Sequence, residues 1–386
     1  MENQEHPFVF EDGDVRAKAK YGGRIITFKL SSHALCFASP VWKKFVFPPL
    51  FLPSSLRNQE ELNAKKACTV PEEPFPDIEL DFTEDDPEAL LILLQIAHLK
   101  FSNIPAKLSY DVLYNISILC NQYDCRRLVK PWIQDWLKNE STEAYLPHKE
   151  GWLWIAYYFG REDICYHMIK TMALRLTIGN DGKRMLMDGP VDREYLTFDD
   201  KRYPLHLEGS PLPPEITDVI IHLRGDIIYS LITFTADVME GLLNSSKLSP
   251  CQELCPLAMY GLMSKRLSEH DLWPLPRTKN YNLAPFLLHE SIVRALNLSS
   301  VIQKPMAKLH TGSCLFMDDW KQALLLKSEY AIRECDVDWK GGETGGNWFQ
   351  EYIDRAAEEI GDSECPNDSV SGGAQHKFIG ELLDFC

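Results

Sequence analysis

The sequence predicts an α+β unit over residues 8–140, followed by a mainly α-helical C-terminal region. Three observations carry this. Residues 15–30 alternate apolar and polar about a glycine turn, and residues 78–139 pass from strand-like alternation into three helical patterns. Residues 213–243 then keep apolar positions at steps of three, four and seven. With 386 residues, 45% of them apolar, the chain can fill the cores of two or three domains.

Asp12-Gly13-Asp14 is turn chemistry, and Val15, Ala17 and Ala19 alternate with Arg16, Lys18 and Lys20. After Tyr21-Gly22-Gly23 the alternation resumes with Ile26, Phe28 and Leu30, so a β-hairpin is expected. Ser31-Ser32 caps a helix through Leu35, Cys36 and Phe37, and Ser39-Pro40 starts another through Val41, Trp42 and Phe45. The prolines of 47–76 break all periodicity, which predicts a surface insertion; Phe47, Leu50 and Phe51 are its candidate contacts for a partner.

Ile78-Glu79-Leu80 reads as a strand. Asp86-Pro87-Glu88 then offers a capping oxygen, proline at the first helical position and acid in the first turn. The helix that follows is apolar on nearly every side, from Leu90 through Ile96, which predicts burial between other elements. Ser109 and Asp111 open a second helix through Leu113, Ile116 and Cys120, and Pro131 is expected to begin a third carrying Trp132 and Trp136 one turn apart.

The order Phe10-Glu11-Asp12-Gly13-Asp14-Val15, Phe28-Lys29-Leu30-Ser31-Ser32-His33-Ala34-Leu35 and Ala38-Ser39-Pro40-Val41-Trp42 resembles the N-terminal half of a fungal-type BTB/POZ domain. Asp85-Asp86-Pro87-Glu88-Ala89-Leu90, Cys120-Asn121-Gln122-Tyr123-Asp124-Cys125 and Val129-Lys130-Pro131-Trp132 resemble its second half. The resemblance covers residues 8–140, with the insertion at 47–76 longer than the family's compact form. It implies a small sheet flanked by helices that serves protein–protein association, self-association, or attachment of a substrate adaptor to a cullin-type ubiquitin ligase. Leu99-Lys100-Phe101-Ser102-Asn103 departs from the hydrophobic-x-Glu pattern that cullin-binding members often carry after the apolar helix.

Residues 141–178 predict a helical extension, with Trp152, Leu153, Ile155, Ala156 and Tyr157 in a first helix closed by Gly160 and Ile164, Met168 and Leu174 in a second. The aromatics there admit an aromatic cage or ordinary packing, and helical spacing favours packing. A polar connection is expected over 179–211. The helical region 212–333 begins with a helix of about 30 residues, roughly 45 Å long, whose apolar stripe is covered by helices at 256–267, 290–298 and 318–333 in a bundle or, as the alternative, by a coiled-coil partner helix. The last 46 residues, 341–386, hold ten acids against Arg355 and Lys377, which predicts a solvated acidic tail.

The net charge of −16 and the absence of basic runs argue against nucleic acid as a partner. Eleven scattered cysteines and an N-terminus without signal-peptide pattern predict reduced thiols in cytoplasm or nucleus. No uninterrupted apolar run reaches the roughly 18 to 20 residues of a membrane span, so no membrane partner is expected.

Signatures of catalysis are sparse. No His-Glu-x-x-His, Gly-x-Ser-x-Gly or dinucleotide fingerprint occurs, and Gly341-Gly342-Glu343-Thr344-Gly345-Gly346 lacks the Lys-Ser/Thr of a phosphate loop. Glu84, Asp85 and Asp86 stand where capping explains them. Cys251, Cys255, His310 and Cys314 have the ligand types and pair spacing of a zinc site, against the alternative of ordinary buried side chains. No catalytic residue, cofactor or metal is assigned, and a protein-binding role without catalysis is expected ahead of a ligase adaptor or a Cys/His enzyme.

Overall fold

A computed structural model describes residues 6–48, 79–146, 148–187, 202–205, 211–244, 254–277, 281–296 and 355. The chain is mixed α+β: small sheets with mostly helical remainder. It divides into two compact units. Among the described residues, the first holds the chain to Glu143 together with Gly151–Glu162 and Arg355, and the second holds Ala144–Glu150 and the chain from Asp163 to Leu296. The helical pair expected at 141–178 is thus shared between them.

In the first unit, β1 (Val15–Tyr21) pairs antiparallel with β2 (Arg24–Leu30) and parallel with β3 (Glu79–Phe82), in the order β2-β1-β3. The period-2 pattern sorts the faces: Val15, Ala17, Ala19, Phe28, Leu30, Leu80 and Phe82 are buried, and Arg16, Lys20 and Lys29 are exposed. Between β2 and β3 come α1 (Ser32–Ala38) and α2 (Pro40–Val46). Ser31 caps α1 by accepting from the Ala34 amide, and Ser39 caps α2 by accepting from Val41 and Trp42. The Ser39 hydroxyl also donates to the Tyr123 carbonyl at 2.5 Å, which ties the cap to the unit's interior.

Asp14 joins hairpin to helix. Its carboxylate accepts from the Ser32 amide at 2.7 Å and the Ser32 hydroxyl at 2.6 Å, while its own amide donates to Leu30 O. Gly13 permits this approach, since a Cβ there would fall 2.5 Å from the Lys29 Cβ. Burial pushes the Asp14 carboxyl up, but the Ser32 bonds outweigh it and hold the pKa below the usual carboxylate range.

Helix α3 (Pro87–Ala97) starts on Asp86, whose carboxylate accepts from Ala89, with Pro87 at the first position. Ala89, Leu90, Ile92, Leu93, Leu94 and Ile96 are all buried, as an all-round apolar helix requires. It packs with α4 (Tyr110–Gln122), capped by Ser109, and α5 (Arg126–Trp136). Helix α5 starts five residues ahead of the expected Pro131, without a side-chain cap. Buried Val129, Ile133 and Trp136 hold it, and Pro131 lies inside. A short helix α6 (Glu140–Glu143) and α7 (Gly151–Tyr158) complete the unit. In α7, Trp152, Trp154, Tyr157 and Tyr158 are buried, so these aromatics pack and do not form an open cage.

The second unit opens on α8 (Glu162–Arg175), which runs into β4 (Leu176–Ile178), β5 (Arg184–Met187) and β6 (Arg202–Pro204), an antiparallel sheet in chain order. Two of its strands fall in the expected polar connection 179–211. β4 and β5 form a hairpin about Asn180-Asp181-Gly182, a turn signal the sequence carried, with Leu176 opposite Leu186, whereas β5 and β6 pair across a longer connection, Leu186 opposite Tyr203. Helix α9 (Pro214–Asn244, 31 residues) packs with α10 (Leu254–Glu269) and α11 (Pro285–Leu296), a bundle of the expected kind; the helix expected near 318–333 lies outside the described residues.

By length and mean hydropathy (1.3 over 18 residues) α9 is long and apolar enough to cross a membrane. The expectation of no such segment looked only for uninterrupted apolar runs, and Arg224 and Asp226 interrupt this one. Its stripe of Ile216, Ile220, Leu223, Ile227, Ile228 and Leu231 is buried in the unit. Arg224 is buried too, donating from Nε to Leu176 O at 2.9 Å and from one terminal nitrogen to Tyr281 O at 2.7 Å and Leu283 O at 2.9 Å. The guanidinium thereby ties β4 and the 281–283 segment to the helix.

Candidate functional site

The end of α3 is built by local backbone chemistry. The Lys100 amide donates to Gln95 O at 2.9 Å and the Leu99 amide to Ile96 O at 3.0 Å, the paired bonds of a Schellman cap. That cap needs a left-handed residue, and Leu99 supplies it at φ 59°. Glycine is the usual occupant; a leucine here accepts strain of about 1–2 kcal/mol and projects its side chain into solvent, 73% exposed.

The neighbours of Leu99 extend the surface. Lys100 Nζ donates to Val9 O at 2.8 Å and lies 5.4 Å from the Phe10 ring centroid, so the N-terminal segment is held against the helix end with Val9 63% exposed. Phe101, 51% exposed in a 3₁₀ turn, sits 5.5 Å from the half-buried Trp132, whose ring stacks on Trp136 at 6.4 Å. The Trp136 indole donates to Pro105 O at 2.9 Å, which fixes the base of the aromatic row. Val9, Leu99 and Phe101 are thus exposed apolar side chains around one helix end, with Trp132 against Phe101, on a support held by hydrogen bonds.

His98 supports it from beneath. Its Nδ1 donates to Leu94 O at 2.8 Å and its Nε2 accepts from the Ser31 amide at 3.0 Å, a pattern that only the neutral ring satisfies. Its ring packs 4.5 Å from that of Phe10. Burial pushes its pKa down, the Leu94 bond opposes this, and Lys100 adds to the lowering.

Other polar groups resolve into structural roles. Ser32 lies 3.4 Å from His33 Nδ1, but its hydroxyl donates to Asp14, which thus restrains the serine and does not orient the imidazole as in a nucleophilic triad. Asp85 accepts from the Tyr123 hydroxyl at 2.5 Å; burial pushes both groups up. Burial raises the Cys120 thiol well above its ordinary value, the opposite of nucleophile activation. A cavity of about 290 Å³ beside α5 is lined by Ile133, Leu137, Phe159 and the Glu140–Arg161 ion pair, whose charges answer each other at 2.5 Å.

Among the described residues no three His, Cys, Asp or Glu side chains gather as metal ligands would. Of the zinc candidates, Cys255 falls in α10, and Cys251, His310 and Cys314 lie outside the described residues, as do Leu50, Phe51, the glycine pairs at 341–346 and nearly all of the acidic tail. Sequence reasoning passed over Leu99 and Phe101 as association residues and read their segment only for a missing glutamate. The available signal was the lack of glycine after an apolar helix that must end before Pro105.

Compared with protein-family models, with curated proteins and with solved structures, the chain matches none.

Proposed function

We propose that the first unit is a fungal-type BTB/POZ domain that associates with protein, in itself or a partner, without catalysis. The observation that carries the reading is the set of exposed apolar side chains Val9, Leu99 and Phe101, with Trp132 against Phe101, around a strained helix cap where a soluble surface would ordinarily place polar groups. The element order supports it: hairpin, two capped helices, a third strand parallel to the first, then three helices, is the small sheet flanked by helices that the resemblance implies.

Ligase recruitment is the second reading, and the same surface favours it, because Leu99–Asn103 is the segment in which cullin-binding members of the family present their motif. The carboxylate of that motif is missing, and Lys100 is committed to Val9 O. Association through apolar contact therefore leads.

Sedimentation velocity of the full chain, alone and with a purified cullin N-terminal domain, tests both. Self-association that weakens at least about tenfold in a Leu99→Ser/Phe101→Ser variant, roughly 1.4 kcal/mol, supports the first reading. Binding of the cullin lost in that variant favours the second. A chain that stays monomeric and ignores the cullin removes both.

A further inference from the structure

The outer face of the first sheet carries a charge pattern of its own. Arg16, Lys18 and Lys20 of β1 stand opposite Lys29, Thr27 and Ile25 of β2, while Glu79 and Asp81 of β3 stand beside Arg16 and Lys18. Lys18 takes both carboxylates, at 3.8 Å and 3.2 Å. Among the described residues, Arg16, Lys20 and Lys29 have no carboxylate within ion-pair distance. Arg16 and Lys29 are direct cross-strand partners, an arrangement of like charges that destabilises a sheet. The chain keeps this repulsion although acids exceed bases by 16. A bound anion would relieve it.

We infer that this face docks an acidic stretch of the same chain, residues 351–362. The stretch holds Glu351, Asp354, Glu358, Glu359 and Asp362 against Arg355. In the sequence Glu351, Asp354, Glu358 and Asp362 recur at steps of three, four and four, the spacing that a helix would gather on one side in a stripe about 16 Å long. The free cations answer at matching scale: from Arg16 to Lys20 β1 extends about 13 Å. An outside polyanion would have to approach against the field of the whole acidic chain, whereas a tethered segment is supplied at high local concentration. Exposed pairs are individually weak and salt-screened, so the docking is reversible and sensitive to ionic strength. The inference is independent of the association reading, since neither Leu99 nor Phe101 takes part.

Zero-length carbodiimide cross-linking of the full chain, read by peptide mass spectrometry, tests it. The expected result at about 50 mM salt is Lys20 and Lys29 joined to carboxylates of 351–362, with yield falling at least about fivefold at roughly 0.5 M salt, where the screening length shrinks to a few ångströms. Arg16→Glu and Glu358→Arg should each reduce the yield similarly. The Arg16 side chain is exposed, and an unchanged melting temperature certifies the fold in each variant. Absence of these links at low salt, or yields indifferent to both substitutions, overturns the inference. So do links found only between isotopically light and heavy chains, or protection of Lys20 and Lys29 by anionic vesicles or nucleic acid without any link to 351–362.

Discussion

At the scale of single residues, two half-buried imidazoles shape the response to acid. His98 is held neutral between the Leu94 carbonyl and the Ser31 amide, and protonation at Nε2 would aim a proton at an N–H donor. His167 packs 4.2 Å from the Tyr145 ring, and burial with help from Lys170 lowers its pKa to about 4, against a small opposing pull from Asp163. A folded-state pKa below the unfolded value means that the unfolded chain binds the proton first. Stability from these groups is therefore complete above the ordinary histidine pKa, about 6.5, and is lost as pH falls through the window down to about 4 for His167. Each contributes a slope of at most about 1.4 kcal/mol per pH unit. Urea unfolding between about pH 7 and pH 5 should show it, and His167→Phe should flatten its share of the slope. Equal slopes in parent and variant would mean that the imidazole is solvated in the folded chain.

At the scale of elements, helix ends were legible in the sequence when a side chain made them and illegible when the backbone did. Ser31, Ser39, Asp86 and Ser109 each cap the helix that the sequence assigned to them, because an N-cap oxygen acts within three residues. Helix α5 starts without such an oxygen; its buried Val129, Ile133 and Trp136 keep helical steps of four and three, a pattern that Pro131 between them obscured. The C-terminal caps divide in the same way. Gly160, at φ 74°, announces itself by residue type. Leu99 and Asp124 take the same conformation, at φ 59° and φ 50°, because Lys100 N–H and Cys125 N–H close onto Gln95 O and Cys120 O. The candidate surface stayed hidden for that reason: its exposure follows from a backbone conformation that leucine rarely adopts. Leu99→Gly separates the two roles. Relief of about 1–2 kcal/mol of strain exceeds the roughly 0.4–1 kcal/mol that glycine's extra freedom costs through the unfolded chain, so the melting temperature should hold or rise. Association should weaken with loss of the side chain. A variant that loses stability would show that Leu99 packs inward.

At the scale of the whole molecule, each unit has a core of its own, and each core has one position whose loss should be felt in that unit. Leu94 is fully buried on α3, as are Leu90, Leu93 and Ile116 of the same unit, so Leu94→Ala removes apolar contact and leaves a cavity at a cost of about 2–5 kcal/mol. Arg224 is the corresponding position on α9. It neutralises no carboxylate among the described residues; it donates to the carbonyls of Leu176, Tyr281 and Leu283, and burial holds its pKa below the ordinary guanidinium value. Arg224→Met keeps most of the volume but strands three acceptors. Each buried carbonyl left unsatisfied costs about 1–3 kcal/mol, offset in part by no longer burying a charge, so a net loss of roughly 2–4 kcal/mol is expected. Scanning calorimetry of the full chain should resolve two transitions. Leu94→Ala should lower one of them by several degrees and leave the other in place, and Arg224→Met should do the reverse. A single transition lowered by both substitutions would mean that the cores unfold together, and the chain would then have to be treated as one cooperative body.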